Sequence, residues 1–323
     1  MRETFTGLTL KGLACALPER VMEVDTFAER YGAATVERFK KVVGVERFHV
    51  AAPNQRTSDL AEAAAKHLFA QGLAKPEEID VLLFVTQTPD AVAPATSSLL
   101  QARLGLSTHL FALDLNQGCA GFLAGLLTAA HFLSNPAVRN VLLLGGDTLS
   151  RHLDPNDQTS AMLFGDAGFA AVIGREEGAA PWTFDSATEA STAITLPHGG
   201  TFAMSGTDVF NFTITHVPEQ IKGMGLTPDL LLLHQANAFI LKQVARFCGI
   251  PEERVPIRLA NRGNTSSASL PLLLCDLAAE GTPNPQSPLL SAFGVGLTWI
   301  TASLPLNFAT CLPPILVPEM LHD

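Results

Sequence analysis

Phe111-Ala-Leu-Asp-Leu-Asn-Gln-Gly-Cys-Ala-Gly-Phe122 is the stretch on which the fold turns. Residues 111–115 are a short apolar run suited to a strand, and from Ala120 to Leu133 the chain is rich in Ala and Leu and reads as an apolar helix. Cys119 stands between the two, after Gly118 and before the helix start. Upstream, Val81–Val85 is apolar, partly β-branched and bounded by Asp80 and Pro89, a fully buried strand, and 97–104 suits a helix. Downstream, Val141–Leu144 is a further strand that ends at Gly145-Gly146-Asp147. Strands alternating with helices predict an α/β layered fold with a mainly parallel central sheet.

The second half repeats this plan. Strands are expected over 230–233 and 289–293, and helices over 238–248 and 267–279, with a Gly294-Val295-Gly296 turn after the last strand. From Asp80 to Cys119 is 39 positions and from Asp229 to Asn264 is 35, each running from a strand start to a small-residue turn ahead of a helix. A duplication with halves 1–174 and 175–323 follows, with both turns on one face. Between the halves, 174–206 is rich in Gly, Ala, Ser, Thr and Pro and reads as loops and edge structure that cap the site. Gly12-Leu-Ala-Cys15 belongs to a first strand rather than a leader, because Lys11 interrupts an already short apolar stretch. The tail from Cys311 to Asp323 is expected as an extended strap.

Composition narrows the function. With 47% hydrophobic and 16% charged residues in a 323-residue chain, a large core and extensive subunit contact are expected. A net charge of -10 opposes nucleic-acid binding, which needs clustered Lys and Arg. No apolar run is long enough for a membrane span. The five cysteines are scattered and never form Cys-x-x-Cys, so neither a disulfide framework nor a zinc site is indicated and a reducing cytoplasm fits.

Three residues carry the expected chemistry. Cys119 lies at a helix N-terminus, where backbone dipoles favour thiolate; elsewhere a lone cysteine is usually a small buried hydrophobe. His234 follows four leucines, at the strand end where α/β sheets present functional groups, and the Gln-Ala-Asn that follows suggests a solvent-facing cleft. The ordinary alternative is a hydrogen-bonded core histidine. Asn264, in Gly263-Asn-Thr-Ser-Ser-Ala-Ser269, is by itself an unremarkable turn residue. A thiol, an imidazole and a carboxamide together suit acyl transfer through a covalent intermediate. The Gly294-Val295-Gly296 turn leaves a backbone N–H free to face a substrate oxygen. No metal-ligand pattern is present.

Taken together, Gln117-Gly-Cys119-Ala-Gly-Phe122, Leu163-Phe-Gly-Asp166, His234-Gln-Ala-Asn237, Gly263-Asn-Thr-Ser266 and Phe293-Gly-Val-Gly-Leu-Thr-Trp299 resemble β-ketoacyl-acyl-carrier-protein synthase III from about Gly7 to Trp299. The resemblance implies the thiolase fold, two duplicated α/β halves in a five-layered α-β-α-β-α sandwich, and a cytoplasmic homodimer with no cofactor. Cys119 would take up an acyl group, and His234 and Asn264 would hold the carbonyl of a malonyl thioester as carbon dioxide leaves. The backbone N–H groups of Cys119 and Val295 would form the oxyanion hole. Acyl-CoA or an acyl-carrier protein would be the donor, and malonyl-carrier protein or malonyl-CoA the extender.

Departures from the family pattern bear on substrate. Arg38 and Val42 stand where the family has an adenine clamp, while Arg151 matches an arginine near the coenzyme phosphates. Phe239 replaces a basic carrier-docking position, for which Lys242 and Arg246 are possible substitutes. Ala93 stands where a bulky Phe from the partner subunit often closes the acyl pocket, so a larger tunnel and a longer or specialised acyl group are expected, each buried methylene being worth about 0.8 kcal/mol. Two alternatives are an acyltransferase in which another nucleophile intercepts acyl-Cys119, and a partner subunit of a heteromeric synthase.

Overall fold

The apolar runs become the strands of two sheets wrapped around a pair of buried helices. In the computed structural model, which describes residues 1–319, the chain begins with β1 (Arg2–Phe5), β2 (Leu8–Pro18), β3 (Val21–Glu23), α1 (Ala28–Tyr31), α2 (Ala33–Val43), β4 (Arg47–His49) and α3 (Thr57–Ala70). There follow β5 (Val81–Val85), α4 (Thr96–Arg103), β6 (Phe111–Leu115), α5 (Gly121–Leu133), β7 (Asn140–Asp147), β8 (Ala167–Arg175), β9 (Trp182–Thr188), β10 (Ile194–Thr195) and β11 (Ala203–Met204). The remainder is α6 (Gly206–Gly223), β12 (Leu230–Leu233), α7 (Ala238–Cys248), α8 (Ser269–Ala279), β13 (Pro288–Gly294), β14 (Thr298–Ser303) and β15 (Ile315–Val317).

One sheet has the order β15-β2-β8-β7-β5-β6 and the other β1-β9-β14-β13-β12. Within them, β2-β8-β7-β5 and β9-β14-β13-β12 share both order and sense: two antiparallel pairs, then a parallel one. The sheets are thus mixed rather than mainly parallel. The hairpin from β13 to β14 needs only three residues, and an antiparallel neighbour is what so short a connection allows.

Five layers follow from which side chains pack together. Phe122, Leu123 and Leu126 of α5 and Leu270, Leu273 and Leu274 of α8 share one core with inward residues of both sheets, so these helices form the central layer. On the outer face of the first sheet, Leu60, Ala64 and Leu68 of α3 and Leu100 of α4 meet Leu82, Phe84, Leu142 and Leu144. On the outer face of the second, Val217 and Ile221 of α6 and Leu241 and Val244 of α7 meet Leu231, Leu233 and Leu289. Each large apolar side chain so buried contributes about 1.5–3 kcal/mol. β5 and β7 are buried along their whole length, which explains why they read as continuous apolar runs.

The 174–206 segment departs from its reading as loops. It contains β9, an interior strand of the second sheet whose Trp182 and Phe184 are fully buried. Its alternation is short, Trp-Thr-Phe-Asp, and is flanked by Gly and Pro, so composition hid it. The tail is extended as expected, and it is also a strand: Ile315–Val317 pairs with Ala16–Pro18 of β2, and Leu312 N–H donates to Leu13 O. The last four residues of the expected strap lie outside the described residues.

Candidate active site

Turns at one end of the two sheets bring the three singled-out side chains to one chamber of ≈ 70 Å³, lined by Cys119, His234 and Asn264 together with Phe164, Phe202 and Phe293. Cys119 is placed by the turn from β6 into α5, where Gly121 N–H donates to Gly118 O. The end of β13 passes so close that a Cβ on Gly294 would lie 2.6 Å from Cys119 Cβ and 3.1 Å from its sulfur. Only glycine fits there, and Val295 follows it into the chamber wall. Although the residue is only half-buried by area, its sulfur is enclosed, and this desolvation pushes the thiol up to about 12. The helix dipole does not prevail over burial, so the resting sulfur is a thiol and not the thiolate expected from its position. Ser266 Oγ lies 3.9 Å from the sulfur and acts in the opposite, lowering direction.

His234 comes directly after β12, its N–H bonded to Ser291 O. The residue is 1% exposed, so the expected solvent-facing cleft is instead a buried pocket. The polar residues that suggested a cleft are consumed internally. Gln235 donates to Leu233 O and Pro256 O and accepts from Arg258 N, while Asn237 Oδ1 caps α7 by accepting from Ile240 N at 2.8 Å. Ser269 Oγ lies 2.6 Å from His234 Nδ1 and accepts from Gln235 N. The serine hydroxyl keeps its own proton to give to Nδ1, and in that arrangement the imidazole proton stands on Nε2. Burial lowers the imidazole to about 3, so it is neutral at physiological pH.

Asn264 is fixed by its backbone, N–H to Leu163 O and carbonyl to Gly165 N. Its Oδ1 accepts from Ser266 N at 2.9 Å, and Nδ2 lies 3.5 Å from Ala236 O in the His234 turn. The carboxamide thereby turns its donor side toward the histidine. A buried carboxylate that sequence reading missed braces the same region: Asp147, 1% exposed, accepts from Gln87 N, Thr86 Oγ1 and Ser267 Oγ. It ties together the ends of β5 and β7 and the turn before α8. Burial raises its pKa. The Gly145-Gly146-Asp147 strand end was visible in the sequence, but its partners 60 and 120 positions away were not.

A wider cavity of ≈ 670 Å³ shares Leu163, Met204, Gly206 and Asn237 with the chamber and is lined further by Arg38, Phe39, Val42 and Met162. Among the described residues no cluster of His, Cys, Asp or Glu is placed to hold a metal ion, and no helix is long and apolar enough to cross a membrane.

Comparison with known proteins sets this geometry in a family. The description 3-oxoacyl-[acyl-carrier-protein (ACP)] synthase III matches residues 113–191, and that of its C-terminal region matches 227–306. The β-ketoacyl-[acyl-carrier-protein] synthase III of Thermosynechococcus vestitus is 34% identical, the match covering 92% of this chain and 97% of that protein. The chain belongs to the β-ketoacyl-acyl-carrier-protein synthase III family. A 3-oxoacyl-(acyl-carrier protein) synthase from Burkholderia xenovorans superposes with a TM-score of 0.94 at 32% identity, over 98% of this chain and 99% of that one. The priming β-ketosynthase of the R1128 polyketide pathway superposes with a TM-score of 0.83 at 25% identity, over 94% and 97%. As a member of the synthase III family, the protein is an acyltransferase of the condensing class with the thiolase fold.

The remaining expected positions of this synthase lie outside the chamber. Arg151 is engaged by the turn at 52–55, its guanidinium donating to Ala52 O and Gln55 O. Phe239 is 45% exposed and stacks on Phe210 at 5.4 Å, on the face of α7 that also exposes Lys242 and Arg246. Ala93 sits on the exposed loop between β5 and α4 and forms no part of the chamber wall in its own chain.

Proposed function

We propose that the enzyme joins an acyl thioester to a malonyl thioester by decarboxylative condensation, with Cys119 as nucleophile. The observation that carries this reading is the convergence of Cys119, His234 and Asn264 on one largely apolar chamber. In the loading step the sulfur attacks the donor thioester carbonyl, whose oxygen is received by the N–H groups of Cys119 and Val295. A new C–S bond forms, the donor's C–S bond breaks, and the departing thiol carries the Cys119 proton. In the second step the malonyl thioester carbonyl accepts from His234 Nε2–H and Asn264 Nδ2–H. The bond to the carboxylate breaks, carbon dioxide leaves, and the electron pair passes into an enolate held by these two donors. The carbanion attacks the acyl-Cys119 carbonyl, the sulfur is expelled, and one proton is taken from solvent per turnover.

A neutral histidine suits this role, since a donor that keeps its proton stabilises charge without quenching the carbanion. Burial also strengthens both hydrogen bonds, and losing one such donor costs about 10²-fold or more. Halves 1–174 and 175–323 divide the work in this reading, the first supplying the nucleophile and the second the two donors. The wide outer cavity receives the arm of the acyl-CoA or carrier-protein thioester, with Arg38 as the basic residue of its lining and Lys242 and Arg246 nearby on α7. Arg151, bound to backbone carbonyls, braces that region.

A homodimer is part of the proposal. β6 is an edge strand whose residues stay half-exposed in one chain, Phe111 at 52%, and such an edge calls for a cover. The second subunit would then present its Ala93 loop to the acyl pocket. A cytoplasmic setting accords with five free cysteines, Cys15 and Cys275 standing unbonded with sulfurs 3.7 Å apart.

The test is intact-protein mass spectrometry after incubation with acyl-CoA and acyl-carrier-protein donors, followed by assay of carbon dioxide release from malonyl thioesters. The wild type should gain an acyl mass that Cys119→Ala does not. His234→Ala and Asn264→Ala should still load while losing decarboxylation. Loading without carbon dioxide release in the wild type would favour a non-condensing acyltransferase, and no adduct with any donor would favour a partner subunit.

A further inference from the structure

Gln87, immediately beyond β5, is a feature of the chamber that the condensation chemistry leaves unused. Other polar side chains of the wall are engaged: Cys119 with Ser266, His234 with Ser269, Asn237 with Ile240 N, and Asn264 with Ser266 N. Among the described residues the Gln87 side chain makes no hydrogen bond, although its backbone is pinned by N–H donation to Asp147 Oδ1 at 2.8 Å. Its carboxamide lies against the nucleophile's own turn. A Cβ on Gly118 would stand 2.3 Å from Gln87 Oε1 and 2.9 Å from Cδ, so the residue before Cys119 is bare where the amide lies. The apolar part of the chamber wall includes Leu149, Phe164, Ile194, Phe202 and Val209. Gln87 also lines a second cavity of ≈ 580 Å³ bounded by Thr88, Asn116, His152 and His198, and no other described residue lines both spaces. It stands where the chamber adjoins this more polar space.

We propose that Gln87 selects the acyl group: the chamber favours a short acyl chain bearing a hydroxyl or oxo group on its third or fourth carbon over the matching hydrocarbon, and the Gln87 carboxamide is that oxygen's hydrogen-bond partner. The inference rests on Cys119 being acylated as described above. A hydrocarbon chain entering so small a space gives the amide no partner on the chamber side. An oxygenated chain offers it an oxygen there. The amide offers a donor at Nε2 and an acceptor at Oε1, so it serves a hydroxyl and an oxo group alike. A site that hydrogen-bonds a substrate oxygen rejects the analogue lacking it far more strongly than an apolar wall distinguishes one methylene. The covalent step is unchanged: Cys119 sulfur bonds the acyl carbon, and the donor thiol leaves with the proton.

The experiment is a competition in which the full-length enzyme receives equimolar pairs of CoA thioesters, butanoyl against 3-hydroxybutanoyl, 4-hydroxybutanoyl or 3-oxobutanoyl. The acyl-Cys119 species are then counted by intact mass. The wild type should load one of the oxygenated chains on the order of tenfold faster than butanoyl, and Gln87→Leu should bring that ratio to about one. Preferential or equal loading of butanoyl in every pair overturns the inference while leaving the condensing reading in place, and so does a wild-type ratio that survives in Gln87→Leu. No Cys119 adduct from any of these CoA thioesters, nor from the same acyl chains carried on an acyl-carrier protein, overturns both. If Gln87→Leu folds poorly, Gln87→Met supplies the apolar comparison and the wild-type ratio still decides.

Discussion

Cys119 and His234 share the chamber as two neutral groups, and each leaves a distinct trace in pH dependence. Because enclosure holds the thiol near 12, alkylation of Cys119 by iodoacetamide in the unliganded enzyme should rise about tenfold per pH unit from 7 to 10 without levelling off. Negative charge on the buried Asp147 carboxylate adds to this elevation. Asp147→Asn should therefore speed alkylation at fixed pH, a change that simple loosening of the fold would not confine to this one cysteine among five. His234 acts on stability. Its folded value of about 3 lies below the ordinary value of about 6.5, so between these limits the unfolded chain binds a proton that the folded chain does not. The stability that neutral His234 confers is present above about pH 6.5 and is lost as pH falls toward 3, by at most about 1.4 kcal/mol per unit. In urea unfolding, wild type should lose more stability than His234→Gln between pH 7.5 and 5.

At the scale of elements, β9 supports the floor of the second sheet with Trp182 and Phe184, although its sequence reads as a capping loop. The Trp182 indole N–H is buried without a partner among the described residues, so the ring contributes through packing alone. Trp182→Ala should cost about 3–5 kcal/mol in denaturant unfolding, and Trp182→Phe distinctly less, because it leaves a smaller void and removes no hydrogen bond. β9 also shows where sequence reading stops. β5, β7, β12 and β13 were legible because burial on both faces demands uninterrupted apolar runs. Cys119, His234 and Asn264 were legible because each sits where such a run, or a small-residue turn, ends. The chamber's apolar wall was not, since Ile194, Phe202 and Val209 come from β10, the approach to β11 and the start of α6, none of them long or regular enough to announce itself. Gln87, Ser269 and Asp147 owe their positions to partners far along the chain, and no local spacing records that.

For the whole molecule, the exposed edge at β6 predicts association. Sedimentation should give a dimer for the wild type, and Phe111→Glu, which sets a charge on that edge, should shift the population to monomer. The strand order holds a further consequence. β1, which precedes β2 in the chain, belongs to the second sheet, pairing with Trp182–Asp185, while β15 closes the edge of the first sheet beside Ala16–Pro18. As the polypeptide leaves the ribosome, β1 waits for a partner some 180 positions behind it, and the first sheet keeps one edge bare until residue 315 emerges. Such long-range pairings make folding slow and leave strand edges exposed to neighbouring chains. These two strands lace each sheet to the other, so neither sheet can be completed by the stretch of chain that supplies most of it, and a nascent synthase whose β15 has not yet emerged is a protein with an open seam.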